Sequence, residues 1–194
     1  MGYRIVTITS QFGGRGGEIA RLVSANLGIA RHDEDLTDLI ARESGFDVEF
    51  VKEHAEDVHG GWLGFADSRD CYGNSYWDAL CRAQEKVICG LAQAAPCVIV
   101  GRCADHILRD DDETLSVFVF EAAAKRAEHY MYEHGCSEED AIRQVRSQDR
   151  ARTIYYQVYL NRTWGAAENY HLCLDSGRLS AECCARIIEM TYRD

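Results

Sequence analysis

Proline is almost missing from this 194-residue chain; Pro96 stands alone. With 46% hydrophobic residues, no low-complexity stretch and no internal repeat, the chain is no extended linker and reads as one globular core. Apolar runs long enough to span a membrane are missing too, and no N-terminal apolar stretch resembles a signal peptide. A cytoplasmic protein with no membrane partner is therefore expected. Cysteine pairs at metal spacing are also lacking. The nine cysteines are scattered without a Cys-x-x-Cys, which argues against zinc and for reduced thiols. His129 and His134, five apart, do not share a helix face as a metal pair would. Positive charge is scarce: the formal net charge is −11, unsuited to a nucleic-acid surface. A phosphorylated small molecule stays possible, because arginines can be concentrated locally in a cleft.

What is present is a loop. Ile5-Val6-Thr7-Ile8-Thr9, apolar and β-branched, leads into Ser10-Gln11-Phe12 and then Gly13, Gly14, Gly16 and Gly17. A helical pattern follows at once, with Ile19, Leu22, Val23 and Leu27 on one face. Strand, glycine loop and helix make a phosphate cradle, in which backbone N–H groups turn inward and the helix N-terminus adds partial positive charge. The full pattern G-x-x-x-x-G-K-[ST] is not met. No lysine lies in the loop, and Arg15 is its only cation. A tight strand-to-helix turn without ligand is the other reading of these residues.

The rest of the chain alternates. Strands are expected at 3–9, 29–32, 97–100, 115–120 and 171–174. Helices are expected from the glycine loop to about Asn26, over 34–44, 47–56, 75–94 and 122–134, from Ser137 onward, and after Ser180. Gly28 and Gly45 suit helix stops, and Ser137 with Asp140 suits a capping box. Residues 57–75 interleave glycines with Trp62, Phe65 and Tyr72, which suits either a substrate cover or a surface loop. Alternating strands and helices call for an α/β fold, a parallel sheet covered on both faces. Ligands of such sheets bind beyond the strands' carboxyl ends. Those ends carry the glycine loop, Asp33, Gly101-Arg102, Glu121 and Asp175-Ser176.

Several stretches together resemble the cytidylate kinase-like family of P-loop nucleoside monophosphate kinases. They are Ile8-Thr9-Ser10-Gln11-Phe12-Gly13 with Glu18-Ile19; Pro96 through Asp105; Asp149 through Tyr156; Trp164-Gly165; and Asn169 through Ser176. The resemblance implies a single P-loop NTPase domain over 1–194. It implies a three-layer fold, a five-stranded parallel sheet of order 2-3-1-4-5, an NMP-binding insertion at about 36–75 and a short lid at about 146–165. It also implies ATP and Mg2+ as cofactors, with transfer of the γ-phosphoryl to a nucleoside monophosphate such as cytidylate. The departures are specific. Ser10 and Gly17 stand where the family carries arginines, Arg15 where it carries glycine, and Val100 where cytidylate kinases proper carry aspartate. A regulatory nucleotide-binding protein without transfer, or a kinase for another small acceptor, is the alternative these departures raise.

Roles follow the same resemblance. Gly13, Gly14, Gly16, Gly17 and Glu18 belong to the donor-phosphate site, and Asp175 and Ser176 to the adenine side. Arg15, Arg146, Arg150 and Arg152 are the candidate catalytic cations, the last three on the lid. Arg102 would grip the acceptor phosphate, unless it pairs with Asp105 or Asp33 instead. Asp33 suits an acceptor hydroxyl, a metal-bound water or a helix cap. Asp105 and Arg126 complete the acceptor set. Metal ligands and oligomeric state are not assigned by the sequence.

Overall fold

Each strand is followed by a segment long enough to cross back over the sheet, and such spacing produces parallel neighbours. The structure, a computed structural model, describes residues 2–54 and 76–194. In chain order it contains β1 (Ile5–Ser10), α1 (Gly16–Leu27), β2 (Ala30–His32), α2 (Asp35–Ser44), α3 (Val48–His54), α4 (Tyr76–Ala94), β3 (Cys97–Val100) and α5 (Ala104–Ile107). Then come β4 (Thr114–Phe120), α6 (Ala123–His134), α7 (Glu138–Tyr159), a 3-10 turn (Ala167–Asn169), β5 (Leu172–Asp175) and α8 (Ala181–Arg193). The glycine- and aromatic-rich stretch 57–75, expected as a substrate cover or surface loop, lies outside the described residues. So does the end of the helix expected over 47–56.

The five strands run parallel in the order β2-β3-β1-β4-β5, the order the resemblance implies. Alternation along the strands splits the core in two. Val6, Ile8, Val98, Leu115, Val117 and Val119 pack beneath Ile19, Val23, Cys184 and Ile188 of α1 and α8. Ile5, Cys97, Ile99 and Phe118 face Leu36 and Ile40 of α2, Leu80 and Ile88 of α4, and the aromatics Tyr155, Tyr156, Trp164 and Tyr170. Each fully buried aliphatic contributes roughly 1.5–3 kcal/mol. The interior thiols are part of this packing, and burial pushes Cys81 and Cys97 up to about 11, so both stay neutral at physiological pH. Ser137 and Ser180 accept from the amides of Asp140 and Cys183 at 3.2 Å each, capping α7 and α8 as expected.

Beyond α7 the chain turns at Trp164-Gly165. Phe118 meets Trp164 edge-on, centroids 5.5 Å apart, and Tyr170 at 5.0 Å. Gly165 has φ +74°, and a Cβ there would sit 2.9 Å from Phe118 Cζ. That ring is wedged and cannot swing away. Gly165→Ala should therefore lower stability by roughly 2–4 kcal/mol through strained backbone and overpacking. Thermal or urea unfolding checks this, and a variant as stable as the parent would contradict it.

Candidate functional site

The loop begins as a continuation of the sheet. Gln11 N–H donates to Val119 O at 3.1 Å, and Gly14 N–H returns to Gln11 O at 3.1 Å, closing a turn. Helix α1 starts at Gly16 with no side-chain cap, so the amides of its first turn have no partner within the helix. A Cβ at Gly16 would stand 2.4 Å from Ser10 Oγ. Only glycine lets the helix begin this close to the strand it follows. Arg15 bends back to Glu18, Nε to Oε2 2.9 Å, so the loop's cation carries its own counter-charge.

Phe12 is gripped from both sides. Its N–H donates to Asp149 Oδ1 at 3.0 Å, and its carbonyl accepts from Arg126 Nη1 at 2.7 Å. Arg126 Nη2 and Asp149 Oδ2 close the ring at 2.8 Å. Arg126 is only 3% exposed, and its Nε donates to Glu121 O at 2.9 Å. Helices α6 and α7 thus meet on the loop's main chain through an ion pair whose arginine is buried and whose aspartate is partly buried.

Beside the loop, at the carboxyl ends of β1 and β3, lies a cavity of about 190 Å³. Asp33, Arg102 and Arg152 reach it among the aromatics Tyr155, Tyr156 and Trp164. Arg152 Nη1 donates to Ser10 O at 2.7 Å, and its guanidinium lies 5.9 Å from the rings of Phe12 and Trp164. Arg102 comes from a left-handed turn in which Gly101, Arg102 and Cys103 have φ of +68°, +53° and +56°. For the two non-glycine residues that geometry costs about 1–2 kcal/mol each. The turn is closed by Ala104 N–H on Gly101 O at 3.1 Å, and Arg102 Nη2 donates to Thr37 Oγ1 of α2 at 2.7 Å. Tyr156 OH donates to Asp105 Oδ1 at 2.6 Å, and burial holds the phenol well above its usual pKa, so it stays a donor.

The comparisons with known proteins meet this geometry. A model of the cytidylate kinase-like family matches residues 5–178. The chain belongs to that family. No curated protein matches it significantly. Among solved structures it is similar to an uncharacterized protein from Eubacterium ventriosum, at 23% identity and TM-score 0.71, with 97% of each chain covered. It is also similar to a shikimate kinase from Acinetobacter baumannii in complex with shikimate, at 13% identity and TM-score 0.55, covering 96% of this chain and 90% of that one. A sugar kinase from Janibacter sp. matches at 14% identity and TM-score 0.53, covering 97% and 94%. These likenesses show the P-loop kinase fold.

Against the family's pattern, the expected site residues divide. Gly13, Gly14, Arg15, Gly17 and Glu18 line a groove of about 510 Å³ with Glu128, His129 and Glu133 of α6. Gly16 lies behind it against Ser10. Asp33, Arg102 and Arg152 share the cavity, but Arg146 and Arg150 do not reach it. They line a separate groove on the outer side of α7 with Arg143 and Glu139. The cause is that residues 138–159 form one unbroken helix, and two positions of α-helix turn Arg152 by about 200° from Arg150. Arg126, expected to reach the acceptor cleft, is instead committed to Phe12 and Asp149. Asp105 is not beside Arg102's guanidinium. It is 2% exposed, and Oδ1 accepts from Thr9 Oγ1 at 3.0 Å as well as from Tyr156. Asp33 Oδ2 accepts from Arg31 Nη1 at 3.0 Å, and α2 starts without a side-chain cap. Asp175 Oδ1 accepts from Gly177 N–H at 2.9 Å, and Ser176 N–H donates to Phe120 O at 3.0 Å, forming the turn after β5.

Sequence reasoning did not find the clamp by Asp149, nor Thr37. The spacing Asp149, Arg152, Tyr156 (i, i+3, i+7) puts all three on one helix face and was the available signal. Asp149→Ala strands Arg126 as an uncompensated buried charge and should cost about 3–5 kcal/mol. Arg126→Met with Asp149→Leu should be less damaging than that single change. Urea unfolding midpoints check the order, and a double variant less stable than Asp149→Ala would contradict it.

Proposed function

We propose that this protein is an ATP-dependent phosphotransferase acting on a small anionic acceptor, a nucleoside monophosphate such as cytidylate. One observation carries the reading: Arg102 and Arg152, from distant segments, enter one cavity beside the glycine loop and Asp33. Two guanidinium groups held together favour an anionic guest. Family membership supports the reaction class. Amides of the loop and of the first turn of α1 hold the donor phosphates. Arg102 holds the acceptor's anionic group. Arg152, anchored on Ser10 O beside the loop, lies where charge builds on the transferring group. The acceptor oxygen attacks the γ-phosphorus, the bond to the β–γ bridging oxygen breaks, and ADP leaves with that electron pair. A hydroxyl acceptor would pass its proton to Asp33, whereas a phosphate acceptor needs no base.

The residues also fit Mg2+ in the usual manner of that ion. Among the described residues, no group of three or more His, Cys, Asp or Glu is arranged for a metal. Mg2+ keeps waters and takes one or two carboxylates plus substrate phosphates. Asp33 is the fitting carboxylate, with Oδ2 3.8 Å from where a Gly17 Cβ would stand. When bound, the ion neutralises the β- and γ-phosphate oxygens. Residues 36–75 then serve as the acceptor side and 146–165 as the arginine-bearing side. Asp175 and Ser176 edge the adenine.

A second reading, nucleotide binding without transfer, has its own observation. Arg15 is tied to Glu18, and Glu128 and Glu133 share the loop's groove, so a triphosphate meets little free positive charge there. The experiment is ADP release with Mg-ATP across nucleoside monophosphates, small hydroxy acids and sugars, the last two suggested by the neighbours in fold. One acceptor should drive turnover, with kcat/KM falling about a hundredfold or more in Arg102→Ala and in Arg152→Ala. Arg146→Ala and Arg150→Ala should stay within about twofold, since surface charges outside the cavity contribute little. Thermal stabilisation by ATP with no acceptor-dependent ADP would favour the second reading instead.

A further inference from the structure

The left-handed turn that aims Arg102 has a support outside the site. Gln84 of α4 is 5% exposed, a polar side chain deep in an otherwise apolar helix face with Leu80 and Ile88. Its Nε2 donates to Arg102 O at 2.7 Å. A carbonyl can only accept, so the contacting atom of the amide is its NH2 and not its oxygen. The bonded carbonyl belongs to the middle residue of the three with positive φ. Turning that peptide into an ordinary right-handed or extended conformation would swing the carbonyl away from Gln84. The donor would then be left buried without its partner, which is the costly outcome for a polar group in a core. The bond therefore selects the strained backbone, and that backbone sends the Arg102 guanidinium to the cavity and to Thr37.

We propose that Gln84 is a positioning residue for the acceptor's anionic group, acting through Arg102. The inference rests on the anion-binding part of the proposed function and not on phosphoryl transfer. It accounts for a buried amide that neither the core nor the cavity otherwise requires.

The test uses inorganic phosphate and the full chain. Isothermal titration should detect a phosphate bound by the parent and weakened about tenfold or more, though still measurably, in Arg102→Ala. Gln84→Met keeps the volume and removes the donor; it should weaken that phosphate about fivefold, the worth of one hydrogen bond. Combined with Arg102→Ala, Gln84→Met should add nothing further. ATP affinity should be the same in Gln84→Met and the parent, a result a general loosening of the fold would not give. Where an acceptor supports turnover, its KM should rise with the ATP KM unchanged. Phosphate binding in Gln84→Met equal to the parent overturns the inference. So does a loss that adds to that of Arg102→Ala, a matching loss of ATP affinity, or parent binding indifferent to Arg102→Ala. Absence of turnover with every acceptor, beside the expected phosphate results, removes the kinase reading and leaves the positioning role intact.

Discussion

An ion pair between a buried arginine and a partly buried aspartate holds the glycine loop in shape. Glycines have no side chains with which to fix their own conformation, and ordering them is entropically expensive. In this chain no lysine helps. Arg126 and Asp149 take the carbonyl and the amide of Phe12 at 2.7 and 3.0 Å, and each other at 2.8 Å. Because Asp149 lies on α7, one turn before Arg152, fixing the loop also fixes the cation beside it. Tyr156, a further turn along, ties the same helix to Asp105. Asp105 in turn follows Arg102 by three residues and holds Thr9 of β1. Loop, helix and left-handed turn thus form a closed mechanical circuit around the cavity. Its parts come from α6, α7, β1 and α5, far apart in sequence.

The circuit explains how a chain of net charge −11 brings two arginines from distant segments to one cavity. Arg102 and Arg152 are turned inward by backbone and helix geometry. Arg143, Arg146 and Arg150 are turned outward on the same α7, where water screens them. Arg15 is offset by Glu18. Which arginines line the cavity, beside Asp33, is therefore set by backbone and helix geometry and not by the arginine count of the segment.

Most of the sheet was readable from sequence because β1, β3 and β4 are short runs rich in apolar, β-branched residues; β2, Ala30-Arg31-His32, is not apolar and was marked only by its place between Gly28 and Asp33. Cys97-Val98-Ile99-Val100 before Gly101 is the clearest case, and β1 before the glycine loop the next. Ser137 and Ser180 were readable as caps because capping is local chemistry. The strand order came from the family resemblance, since no local pattern encodes it. Which lid arginine lines the cavity is not legible from their spacing alone; in the unbroken α7 the two-residue step from Arg150 to Arg152 separates them. The tasks of Arg126 and Asp105 were not legible at all. Each depends on partners more than 20 residues away, and a buried arginine on a helix looks like any other until the fold brings Asp149 to it. The left-handed run at 101–103 was equally hidden, since only Gly101 announces such a conformation and Arg102 and Cys103 do not.

The most direct measurement is a crystal structure with a non-hydrolysable ATP analogue, Mg2+ and phosphate. The analogue's phosphates should lie against the amides of 13–18, and a separate phosphate between Arg102 and Arg152 with oxygens about 2.7–2.9 Å from their nitrogens. Phe12 should still be gripped by Arg126 and Asp149. Phosphate density on the outer groove of Arg146 and Arg150, with the cavity beside Ser10 filled only by water, would contradict this placement.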